Sequence, residues 1–179
     1  LEEMGLRRRS VLLGAVPFGM AMRVQAQGAV RPLQVVASFS ILADMVKEIA
    51  GDAAVVSMLV GPDADAHAFS PAPADVKRIA SADLVVVNGL GLEGWLDRLV
   101  AASGYKGRIV VATRGLKPRE LSGAPDPHAW QSLRNARLYV ENIGVALKNA
   151  MPSRAAAFED RVVDFLRRIE ELDAHARAR

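Results

Sequence analysis

Residues Leu84-Val85-Val86-Val87 form an uninterrupted apolar run with a polar residue at either end, Asp83 and Asn88. A strand without polar alternation has no face to give to water, so both of its faces must be covered. Three further runs have strand character, at residues 33–40, 53–60 and 108–112. Between and after them lie segments with apolar residues at helical intervals. The first covers residues 41–50, with Ile41, Met45, Val46 and Ile49 on one side and Gly51 ending it. Others fall at 73–81, opened by Pro73, at 94–102 and at 132–150, where Ala136, Val140, Ile143 and Leu147 share a face. From Ser153 a last helix carries Phe158, Val162, Phe165, Ile169 and Leu172 as one stripe against a charged remainder. Strands alternating with helices predict an α/β fold: a parallel four-stranded sheet flanked by helices, followed by a long C-terminal helix.

The first residues read differently. Arg7-Arg8-Arg9 precede a short apolar stretch, Val11 to Met22, too short to span a membrane comfortably. Val24-Gln25-Ala26 supplies small residues at the positions a signal peptidase reads, which predicts a signal peptide at 1–26 and an exported, periplasmic chain. Arg8-Arg9-Ser10-Val11-Leu12 also matches a twin-arginine signal, so the route is Sec or twin-arginine. Without those residues 19 basic and 18 acidic side chains remain, and no basic run is left to bind nucleic acid. Cysteine is absent, so a metal site must be built from histidine and oxygen donors.

Two histidines sit in loops punctuated by proline: His67 in Gly61-Pro-Asp-Ala-Asp-Ala-His-Ala-Phe-Ser-Pro71, and His128 in Asp126-Pro-His-Ala-Trp130. Taken alone, His67 reads as an exposed loop histidine and His128 as a residue capping the coming helix. In a parallel α/β sheet, however, the loops beyond the carboxyl ends of the strands gather ligands. One histidine follows the second strand and the other lies beyond the fourth, so both belong to that edge, although 61 residues separate them. Together they favour a metal site, with a carbonyl or carboxylate orienting each ring. Asp63, Asp65 and Asp126 are available oxygen donors, and Asp126 reads best as a residue that opens the helix or orients a ring. His175 reads as surface, Phe69 and Trp130 as packing, and Glu93 has no assigned role.

Residues 37–52, the His67 loop, Asn88-Gly-Leu-Gly-Leu-Glu-Gly-Trp95, and Asp126-Pro-His-Ala-Trp130 with Arg134-Asn135 resemble the zinc and manganese solute-binding proteins of bacterial ABC transporters. The resemblance covers essentially the whole chain after the signal segment. It implies two α/β lobes joined by one long helix, with the metal between them, held by two first-lobe histidines and two second-lobe residues. His67 and His128 fall on the first-lobe positions. Residues 27–150 are then the metal-binding lobe and residues 151–179 the interlobe-type helix, truncated. The second lobe is absent from these 179 residues, so the expectation is a fragment of a longer protein. The family often has Pro-His-x-Tyr-Glu-Pro where this chain has Ala66-His67-Ala68-Phe69-Ser70-Pro71. No histidine-rich loop is present between Arg114 and Pro125.

The implied function is capture of a divalent metal ion, Zn2+ or Mn2+, as transported ligand for an ABC transporter membrane permease. The chain would be a monomer, with no enzymatic activity and no catalytic cofactor. Two other classes compete. A secreted zinc metallohydrolase needs a general base beside the metal, and no His-Glu-x-x-His helix is present. A structural or adhesive surface domain needs no metal at all.

Overall fold

The computed structural model describes residues 31–179; the signal-peptide expectation lies outside them. Four strands, β1 (Leu33–Phe39), β2 (Ala54–Val60), β3 (Leu84–Val87) and β4 (Arg108–Val111), form a parallel sheet in the order β2-β1-β3-β4. All four β3 residues are buried, as their unbroken apolar character requires, and β1 buries six of its seven. The edge strands β2 and β4 are only partly covered. Burying each β3 side chain stabilises the fold by roughly 1.5–3 kcal/mol.

The helices are α1 (Ser40–Ala50), α2 (Pro73–Ala80), α3 (Leu96–Ser103), α4 (Leu133–Ala150) and α5 (Ala155–Arg177). α2 packs with α3, and α1 packs with α4 and α5, so the sheet is covered by two helical groups. Gly51 ends α1 with a positive φ of 55°, which glycine adopts without strain. α4 buries Ala136, Val140, Ile143 and Leu147, the face its periodicity predicts. It crosses close to α5 at Gly144, where an added Cβ would lie 2.5 Å from Val162. α5 buries Phe158, Val162 and Ile169, whereas Leu172, on the same stripe, is exposed. Ion pairs from Arg154 to Asp52 and from Arg168 to Glu48 tie the start and middle of α5 to the region around α1.

One element has no counterpart in the sequence reading. Strands β5 (Glu120–Leu121) and β6 (Ala124–Pro125) form a small antiparallel hairpin through Ser122 and Gly123, both with positive φ. Two positive-φ residues are what a two-residue hairpin turn demands. The strands are two residues long and exposed, so they carry no apolar pattern to read.

The strand order reverses between β1 and β3: the chain leaves β1 towards β2, then crosses back to β3 and β4. In open parallel sheets such a reversal opens a crevice at the carboxyl ends of the strands. The connections after β2, β3 and β4 all start from that edge.

Candidate metal centre

His67 and His128 meet at this edge, with their Nε2 atoms 3.1 Å apart. Each sits at the end of the same local device. The Asp65 Oδ1 atom accepts the His67 backbone N–H at 2.8 Å, and the Asp126 Oδ1 atom accepts that of His128 at 3.0 Å. Such a turn is the ordinary use of an aspartate two residues ahead of the amide it holds. At His128 the aspartate does more, because the same Oδ1 lies 2.9 Å from the ring Nδ1. A carboxylate only accepts, so Nδ1 carries the proton and Nε2 is left with its lone pair. The backbone N–H and the ring of His128, in that order, hold the Asp126 carboxyl below the usual carboxylate range.

The loops are fastened from a common source. The carbonyl of Ala66, just before His67, accepts the Trp95 indole N–H at 2.9 Å. The carbonyl of Pro127, just before His128, accepts the Asn88 side-chain N–H at 2.9 Å. Phe69 stacks edge-on against Trp95, and Trp130 lies between Phe39 and the His128 ring. Phe69 and Trp130 therefore serve as packing, and the Trp95 indole adds a hydrogen bond. A cavity of about 230 Å³ opens in front of the imidazoles, walled by Phe39, Ile41, Pro62, Leu92 and Trp130.

The donor set suits a borderline divalent ion. Two imidazole nitrogens about 2.0–2.1 Å from a tetrahedral ion lie roughly 3.3 Å from each other. The observed 3.1 Å needs only a small opening to admit one. Among the described residues no group of three or more His, Cys, Asp or Glu side chains is placed to hold a metal. One oxygen each of Asp65 and Asp126 accepts a histidine amide, and His175 is exposed near the end of α5. These residues thus bring two nitrogen donors together and leave the rest of a coordination sphere open.

Residues 35–179 match the family model described as ZnuA, zinc-uptake complex component A periplasmic. The chain belongs to this family. It is 36% identical over 154 residues to the iron-binding protein YfeA of Yersinia pestis, covering 83% of this chain and 49% of that protein. It is 37% identical over 142 residues to the manganese-binding lipoprotein MntA of Halalkalibacterium halodurans, covering 79% of this chain and 47% of that protein. The fold superposes on a manganese-bound periplasmic metal-binding protein (S38A mutant) from Candidatus Liberibacter asiaticus with a TM-score of 0.72 and 36% identity. That match covers 76% of this chain and 52% of the other. Zn(II)-bound AdcA from Streptococcus pneumoniae gives a TM-score of 0.73 at 28% identity, over 81% of this chain and 32% of AdcA. The resemblance read from the sequence is thus borne out at the level of the family, as is its fold. The chain spans about half the length of the curated relatives it matches.

Two polar residues of this edge had no role in the sequence reading. Asn88 is fully buried and Glu93 nearly so. The available signal was a polar residue closing the apolar β3 run, but nothing local says which loop it holds. Tyr139, on α4, donates its hydroxyl to Asn88 Oδ1 at 2.6 Å. Burial pushes this phenol far above its ordinary range, and Glu93 adds to the shift, so it stays a protonated donor.

Proposed function

We propose that this chain supplies the first-lobe half of an extracytoplasmic site that captures Zn2+ or Mn2+ and hands it to an ABC-type membrane permease. The observation that carries the reading is the pair of facing imidazoles, with the Asp126 carboxylate directing the His128 Nε2 lone pair at the shared space. Membership of a metal-uptake family supports it. His67 and His128 are the metal ligands, and the ion is cargo. Residues 27–150 form the metal-binding lobe, α5 continues as the helix between lobes, and residues 1–26 direct export. The chain acts as a monomer, without nucleic acid and without a catalytic cofactor. The proteins it resembles carry names that specify iron, manganese or zinc, so the family alone does not select the metal. For two nitrogen donors, zinc binds more tightly than manganese.

Calorimetric titration of the full chain with Zn2+ and Mn2+ tests this reading. Saturable zinc binding that is weakened in both His67→Ala and His128→Ala is the expected result. Affinity unchanged by either substitution places the metal elsewhere, and no binding by the wild type overturns a two-histidine half-site.

A further inference from the structure

We propose that the connection from β3 to α3, residues 88–95, sets the spacing of the two imidazoles, and that Glu93 is the positioning residue holding this connection in shape. It reaches both histidine loops: Asn88 at its start takes the Pro127 carbonyl, and Trp95 at its end takes the Ala66 carbonyl. Each of those carbonyls belongs to the residue immediately before a histidine. A change in the length or path of residues 88–95 therefore moves the two rings relative to one another.

The path is an unusual one. Gly89, Leu90 and Gly91 have φ values of 84°, 54° and 79°, three successive residues in the left-handed region. Leu90 is the costly member, because a branched side chain rarely adopts it. Glycine at 89 is also required sterically, since a Cβ there would lie 2.6 Å from Val111. Such backbone persists only when its surroundings over-determine it. Glu93 provides that restraint, accepting the Asn88 N–H at 2.7 Å and the Ser38 hydroxyl at 2.6 Å on Oε1, and the Gly89 N–H at 3.1 Å on Oε2. Through Ser38 the connection is bolted to β1. The Asn88 amide is in turn oriented by the Tyr139 hydroxyl on its Oδ1, and the Asn88 carbonyl accepts the Thr113 hydroxyl at 2.6 Å. Glu93 makes none of the contacts to the histidine loops itself and acts through Asn88 and the backbone.

Only the affinity arm of the test rests on the metal-capture reading. In the metal-free full chain, nitrogen-15 NMR of the imidazoles follows His67 and His128 separately, with exposed His175 as internal reference. Trp95→Phe removes the indole donor and moves the His67 ring signals more than those of His128. Tyr139→Phe frees the Asn88 amide and moves those of His128 more than those of His67. Glu93→Gln replaces an acceptor with a donor facing backbone N–H groups. It moves both rings, abolishes the nuclear Overhauser contact between them, and lowers zinc affinity about 10- to 100-fold. A purely structural role would lower the melting temperature yet leave the ring signals unmoved wherever the variant is fully folded, and that result overturns the proposal. If Glu93→Gln does not fold, the single-loop variants decide: either one leaving its own imidazole unmoved overturns the proposal. If the wild type binds no zinc, the metal reading falls while the ring signals still judge the positioning.

Discussion

Asp65-Ala66-His67 and Asp126-Pro127-His128 use one turn twice: an aspartate carboxylate accepts the amide of a histidine two residues on. They diverge at the ring. Asp126 also holds the His128 Nδ1, whereas the only hydrogen bond of the His67 ring among the described residues is the one to His128. The middle residue differs as well, since proline fixes φ near about −65° and alanine does not. The second loop therefore presents a pre-oriented lone pair, and the first presents a ring free to adjust. Under the proposed metal-capture reading, the pair has one fixed jaw and one adaptable jaw.

The sharpest way to break this comparison is to remove each ring. His128→Ala should reduce zinc affinity by more than the about 10- to 100-fold typical of losing an orienting partner, and His67→Ala by less than His128→Ala. Equal losses in calorimetry would mean that pre-orientation counts for nothing. Next come the aspartates. Asp126→Asn should weaken zinc binding about 10-fold, because the amide is a poorer partner for Nδ1–H. Asp65→Asn keeps the turn and should leave the affinity within about 2-fold, since asparagine makes the same turn. Pro127→Ala should cost about 2- to 5-fold through the freedom regained by the unbound loop.

The smallest effect on metal belongs to a control at the opposite edge of the sheet. There Asp83 accepts two hydrogen bonds from Arg31 and one from the Gln34 N–H. The Arg31 hydrogen bond is the main cause that holds its carboxyl below the ordinary value of 3.8. A lowered carboxylate pKa contributes stability above the unfolded value, and that contribution is lost as pH falls through the folded one. Thermal melts should therefore show wild type losing its advantage over Asp83→Asn below about pH 4, while zinc affinity at neutral pH is the same in both.

Much of the fold was legible in the chain because its signals are local. The unbroken apolar run at β3 announces a doubly covered strand, and the four-residue and three-residue spacings of α4 name its buried face. The β5–β6 hairpin escaped notice because exposed two-residue strands leave no pattern. At the site, the identity of the histidines and their placement on one edge followed from residue type and strand order. The work of Glu93, Asn88 and Tyr139 did not, since a buried carboxylate, amide or phenol looks the same in sequence whichever donor it meets.

Residue types and periodicity alone therefore determined an α/β sheet and two candidate nitrogen donors in proline-punctuated loops. That His67 and His128 face one another at 3.1 Å was decided only by the tertiary structure. The hydrogen bonds that place the loops reach across 29 residues from Trp95 to Ala66 and 39 from Asn88 to Pro127. Contacts of that range exist only after the sheet has assembled, and no local pattern of residues encodes their length.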